Sequence, residues 1–180
     1  MDADSTGNWA REISHDEVRA VWPGQLQPVP AEVVAQQAPQ AAREFLTRVG
    51  LPSGDDLDGI TFAHDARLSQ VVRCRGRDYL LLTRPDSTAT FGVNMATGQV
   101  FAINEDPPDE ICFFNSDIAA LVYFLGLLKV HVLDLKEATQ ETLPPAVSRV
   151  WEELRARDPD AAREERSWKA WLDDLESQAE

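Results

Sequence analysis

The clearest hydrophobic period in the chain lies between Ala38 and Val49. Ala38, Ala41, Ala42, Phe45, Leu46 and Val49 recur at i, i+3, i+4, i+7, i+8 and i+11, the stripe of an amphipathic helix. Pro39 suits its first turn, Gly50 suits a left-handed C-terminal cap, and Pro52 prevents continuation. Upstream, Ser14-His15-Asp16-Glu17 reads as a capping box, with Ser14 capping and Glu17 reaching back. It predicts a short helix carrying Val18, Val21 and Trp22, ended by Pro23-Gly24. From Gly59 the period shortens toward two. Strands are predicted over 60–64, 68–74, 79–83, 88–94, 99–104 and 111–114. Arg75-Gly76-Arg77-Asp78 and Met95-Ala96-Thr97-Gly98 read as hairpin turns, Gly98 supplying the positive φ. Sequential strands joined by tight turns imply a largely antiparallel sheet.

Past the strands, Asn115 or Ser116 is placed to cap a helix running to about Val130. That helix is apolar almost all round, at Ile118, Leu121, Val122, Phe124, Leu125 and Leu128, so it should be buried against the sheet. Pro144-Pro145 reads as a break, after which Val147, Val150, Trp151 and Leu154 repeat at helical spacing. Asp158-Pro159 restarts a helix with Trp168, Trp171, Leu172 and Leu175 on one face. The pattern gives an α+β fold, a mainly antiparallel sheet of about five to six strands flanked by N-terminal and C-terminal helices. Residues 1–13 read as a flexible leader. Residues 14–180 read as one domain that includes the C-terminal helical segment 145–178.

Composition narrows the classes of function. At 180 residues and 43% hydrophobic content, the chain can bury a sizeable core without a disulfide or a structural metal. Its 31 acidic and 17 basic residues give a net charge of −14. Such a surface repels phosphate backbones, which disfavours direct nucleic-acid binding, and is compatible with a basic protein partner. Cys74 and Cys112 are too few for a disulfide framework or a structural zinc site; they read as two buried free thiols, with a single disulfide between them as the alternative. The opening residues are polar and acidic rather than a secretory signal, and the apolar run 118–128 is too short to span a bilayer. A cytoplasmic protein without cofactor, metal or membrane partner is expected.

The candidate chemistry is sparse. His15, His64 and His131 are far apart and none has metal-ligand spacing. His64 with Asp65, or His131 with Asp134, has the makings of an acid–base pair, weighed against a simple strand-end and a helix-end histidine. Cys74 stands among Arg73, Arg75 and Arg77, a setting that lowers a thiol pKa, but no base is close in sequence. Trp151, Trp168 and Trp171 read as core or helix-packing residues, with an exposed aromatic stripe at an interface as the lesser alternative. The acidic groups carry more. Asp55, Asp56 and Asp58 follow the first long helix, and Glu105, Asp106, Asp109 and Glu110 surround Pro107-Pro108 between two strands. A proline-stiffened acidic loop docks a basic surface at small ordering cost; a solvated loop of an acidic protein is the plain alternative.

Several short motifs occur in a telling order. They are Trp22-Pro23-Gly24, then Phe45-Leu46-Thr47-Arg48-Val49-Gly50-Leu51-Pro52, then the segment from Asn94 ending Ala96-Thr97-Gly98-Gln99-Val100, then Phe114-Asn115-Ser116 opening an apolar helix. With the late Asp158-Pro159 and Trp168, this order resembles the SUKH superfamily, specifically its fourth immunity-protein group, over roughly Val18 to Leu175. The resemblance implies an α+β domain and a bacterial immunity protein that binds and blocks a toxin domain, some such toxins being nucleases. It carries Gly50, Pro52, Gly98, Asn115 and Ser116 over as cap and turn positions, not as a binding site. Asp117 departs from the pattern, standing where a second small polar residue often follows the Asn-Ser pair. Two other classes are kept beside this one: a small hydrolase using His64 or His131 with a carboxylate, and a regulatory interaction scaffold of the same fold.

Overall fold

The chain is seen here as a computed structural model that describes residues 12–54, 57–104, 110–135, 139, 141–163 and 165–177. Helix α1 (His15–Val21) begins on a complete capping box: the Glu17 N–H donates to Ser14 Oγ (3.3 Å) and the Ser14 N–H donates to Glu17 Oε2 (2.9 Å). Strand β1 (Leu26–Gln27) follows, then α2 (Gln40–Arg48), which buries Ala42, Phe45 and Leu46 as its period requires. Gly50, at φ +91°, turns the chain out of α2 and directly into β2 (Leu51–Pro52), which pairs antiparallel with β1. A Cβ on Gly50 would lie 2.1 Å from the Gln27 carbonyl oxygen, so only glycine lets the two segments approach this closely.

The main sheet has five strands in sequential order: β3 (Val71–Cys74), β4 (Arg77–Leu81), β5 (Phe91–Asn94), β6 (Val100–Asn104) and β7 (Glu110–Asn115). Every neighbouring pair is antiparallel. The β3–β4 loop is shorter than the predicted four-residue turn. Arg75 and Gly76 alone form it, both left-handed at φ +47° and +76°, while Arg77 and Asp78 join β4. Gly98 has the expected positive φ, +78°. The predicted strand 60–64 contracts to one bridge, Phe62 with Thr83. It is stopped by Asp65, whose side chain accepts the Arg67 N–H and starts a 3-10 turn, Ala66–Ser69.

Helix α3 (Ile118–Leu128) lies buried on one face of the sheet and runs into a wider helical turn, Lys129–Leu133. Its cap is Asp117, which accepts the Ala120 N–H at 2.8 Å; this corrects the assignment to Asn115 or Ser116, whose side chains are engaged elsewhere. Trp22 fastens α1 to α3 by donating Nε1–H to the Val122 carbonyl at 2.8 Å. The close approach is set by Gly126, where a Cβ would fall 2.6 Å from that indole nitrogen. Helix α4 (Leu143–Arg157) contains Pro144 and Pro145 rather than being preceded by them. They occupy its first turn, where an amide N–H has no helical acceptor. Helix α5 (Ala170–Ser177) ends the described chain.

The sheet has two unlike faces. Leu80, Leu82, Phe91, Val93, Val100 and Phe114 point into the core shared with the helices. The opposite face forms a small cluster of its own, Tyr79, Leu81 and Ile103 buried under half-buried Val72, Cys74, Phe101 and Ile111. Cys74 and Cys112 stand on the two edge strands, about 19 Å apart at the usual strand spacing, so no disulfide joins them. Both are half-buried rather than fully buried.

Candidate functional site

A register shift at Val100/Phe101 inserts one extra residue into β7: Phe101 pairs with Phe113, but Val100 pairs with Asn115. The bulge turns Phe114 and Asn115 both toward the helical layer, where strict alternation would send one of them outward. These two residues begin two quite different constructions.

Asn115 starts a closed one. Asp158, at the end of α4 and 2% exposed, accepts four hydrogen bonds. They come from Asn115 Nδ2 (3.0 Å), the Ser116 N–H (2.9 Å), Ser116 Oγ (2.6 Å) and the Ala161 N–H (3.4 Å). Asn115 Oδ1 in turn accepts from Nε1 of fully buried Trp168 at 3.2 Å. The Asn-Ser pair, Asp158 and Trp168 therefore form one satisfied network that fastens the sheet's last strand to the C-terminal segment. This is polar structure, and it explains why residue types so far apart in sequence belong together. Beside it, partial desolvation and the charges of Asp158 and Glu12 push the Asp117 carboxyl upward from its ordinary pKa, against the Ala120 N–H that its charged form accepts.

Phe114 starts an open construction. With Ile60, Ala89, Phe91, Ala102 and Trp171 it walls a cleft of about 350 Å³ between the sheet and α5. Trp171 is half-buried, stacked on Trp168 with ring centres 5.5 Å apart. Its Nε1–H donates to Asp58 Oδ2 at 3.3 Å, across the lip of the cleft. Asp58 is held there by a turn in which it and Gly59 are both left-handed, at φ +53° and +77°. Thr88 secures that turn by donating Oγ1–H to the Asp58 carbonyl at 2.9 Å.

Of the predicted acidic groups, Asp58 thus lies at a defined place. Asp55, Asp56, Glu105, Asp106 and Asp109 lie outside the described residues, and for Glu110 only the backbone is described, paired with Asn104 in β7. Ala102, on the wall of the cleft, stands two residues before Asn104, to which the second acidic stretch is joined. The expectations about Gly50 and Gly98 hold, Pro52 is a paired strand residue, and Asn115 and Ser116 serve the Asp158 network. The sequence alone did not single out Asp158, Trp168 and Trp171 as polar partners. The signal was a buried-strand end carrying two adjacent polar residues.

The histidines do not assemble an acid–base pair among the described residues. His64 Nε2 meets the Pro52 carbonyl oxygen at 3.0 Å, and Asp65 is engaged as a cap. Asp134 is taken by Lys129 Nζ at 2.7 Å, leaving His131 without it. His15 packs edge-on against Phe45. No group of three or more histidine, cysteine or acidic side chains is arranged for a metal ion among the described residues, and no helix there is long and apolar enough to cross a membrane.

A family model described as SUKH-4 immunity protein matches residues 13–174, which takes in both constructions and every motif noted above. No curated protein and no solved structure matches the chain.

Proposed function

Since this chain belongs to the SUKH-4 immunity protein family, we propose that it protects a bacterial cell by binding a cognate toxin domain and occluding its active site, with no chemistry of its own. The family match over residues 13–174 is the observation that carries this reading. The protein acts in the cytoplasm, and the toxin domain belongs to a polymorphic or contact-dependent system. A nuclease suits best, because a site that attracts phosphate is basic and the net charge here is −14. The surface that meets it is the acidic one: Asp58 with Asp55 and Asp56, and Glu105, Asp106, Asp109 and Glu110.

Co-expression with the candidate toxin domain is the direct test. Survival with this protein and death without it is the expected result; death in both cases ends the reading. The interface is tested by kinetics. Rim charges govern association, so the combined variant Asp106→Ala, Asp109→Ala, Glu110→Ala should fold normally and associate roughly tenfold more slowly at low salt, with a shallower salt dependence. Unchanged association would remove that loop from the interface.

A further inference from the structure

We propose that the cleft between Asp58 and Trp171 receives a single cationic side chain of the toxin, an arginine in preference to a lysine. This rests on the immunity reading and names the partner chemistry at one point of that surface.

The chemistry of the walls selects this occupant. The walls of the cleft are mostly apolar, from Ile60, Phe91, Ala102, Phe114 and Trp171, with Thr88 and Ser167 as polar members, while its lip carries the Asp58 carboxylate. Among the described residues no lysine, arginine or histidine lines it, so the carboxylate has no internal cation. Among the described residues its one side-chain donor is the Trp171 indole, and a carboxylate has about four acceptor positions. A purely aliphatic side chain would fill the apolar part and cover the charge with nothing to pair it. An acidic one would be repelled. An arginine or lysine matches both halves, with a methylene stem for the walls and a cationic head for the lip. Arginine is favoured, because its planar head pairs a carboxylate and stacks on an indole at once. The net charge of −14 draws such a residue in from a basic partner. The turn at Asp58 and Gly59, tied down by Thr88, keeps the carboxylate in place before the partner arrives.

The probes are Nα-acetyl-arginine amide, Nα-acetyl-lysine amide and Nα-acetyl-norleucine amide, the last having lysine's apolar stem without its charge. Each is titrated into the ¹⁵N-labelled full chain while the indole N–H signals are followed. A saturable shift of the Trp171 signal is expected for arginine, with a dissociation constant in the low-millimolar range appropriate to a ligand of about fifteen heavy atoms. Lysine should bind more weakly, and norleucine at least about fivefold more weakly than arginine, since it lacks the charge-assisted hydrogen bond. In Asp58→Asn the arginine response should fall to the norleucine level. Equal responses to arginine and norleucine, or no Trp171 shift by about 50 mM arginine amide, overturn the proposal.

Protection against toxin separates this from the reading beneath it. If the wild type protects and Asp58→Asn protects equally at limiting expression, the cleft is not used and the immunity role stands. If the wild type does not protect, the role fails, and the titration still decides what the cleft binds.

Discussion

Trp168 and Trp171 stand three residues apart in sequence and stack on one another, yet they serve carboxylate chemistry in opposite ways. Trp168 is fully buried and its indole closes a network around Asp158 in which each partner is accounted for. Trp171 is half-buried and its indole reaches Asp58 at the open lip of a cleft. At the closed site four of the chain's own donors meet the Asp158 carboxylate. The open one leaves acceptor capacity unused beside apolar walls. The same residue types thus give a fastening in one place and a receptor in the other, and what decides is whether the carboxylate is surrounded by the chain's own donors.

Removing the two carboxylates should separate the roles most sharply. Asp158→Ala strands the buried donors of Asn115 and Ala161, leaves those of exposed Ser116 to water, and should cost about 3 kcal/mol or more. Asp58→Ala removes an exposed acceptor and should stay within about 0.5 kcal/mol of wild type. Urea unfolding of both variants measures the difference. Similar losses would mean that the Asp158 network is no more structural than the lip.

Trp168→Phe tests the same network from its other end. It deletes the donor to Asn115 and part of a buried ring, and should cost about 2 kcal/mol through an unpaired acceptor and a residual cavity. A loss below about 0.5 kcal/mol would show that neither the indole N–H nor the extra ring volume contributes to stability.

Glu17 lies between the two extremes. It receives both Arg157 head nitrogens, at 3.0 and 3.1 Å, and the Ser14 N–H, and its side chain is 30% exposed. The Arg157 hydrogen bonds, then those of Ser14, bring its pKa down from 4.5 to about 2. Since the folded value is the lower one, the stabilisation is full above about pH 4.5 and is lost as pH falls toward 2. After allowance for solvent screening, wild type should lose about 1 kcal/mol more than Glu17→Gln between pH 6 and pH 3. Parallel losses in the two proteins would remove the pair from the acid response.

How far these constructions were legible in the sequence follows from the range of their interactions. The capping box at Ser14, the stripe of α2 and the left-handed turns at Gly50 and Gly98 are set by neighbours within a few residues, and they read correctly. The strand at 60–64 did not form because Asp65 supplies a competing local cap. The helix cap moved to Asp117 because Asn115 and Ser116 are claimed by Asp158, more than forty positions away. That claim depends on the β7 bulge, which leaves no local signature in Phe113-Phe114-Asn115. Asp58 was read as one of a group of charges; its indole partner lies 113 positions away, beyond what spacing reveals.

A small effect on stability, like that of Asp58→Ala, is expected of Trp171→Phe, and it sharpens the comparison because the same change at Trp168 is costly. Phenylalanine keeps an aromatic ring against Phe114 and Trp168, whose centres lie 6.4 and 5.5 Å from the Trp171 ring. It loses the donor to Asp58, an exposed carboxylate that water solvates in its place, and a part of the indole that is only half-buried. Stability should change by no more than about 0.5 kcal/mol. Binding should respond differently. Without the indole N–H the Asp58 side chain is free to swing away from the lip, so a cationic partner must order it on arrival. Affinity for arginine amide should fall several-fold, through both that ordering and the weaker cation–π partner that a phenyl ring makes. A variant that unfolds as readily as Trp168→Phe would make Trp171 a second structural pin. A variant as stable as wild type that also binds arginine amide as tightly would leave Asp58 as the only recognition element of the cleft.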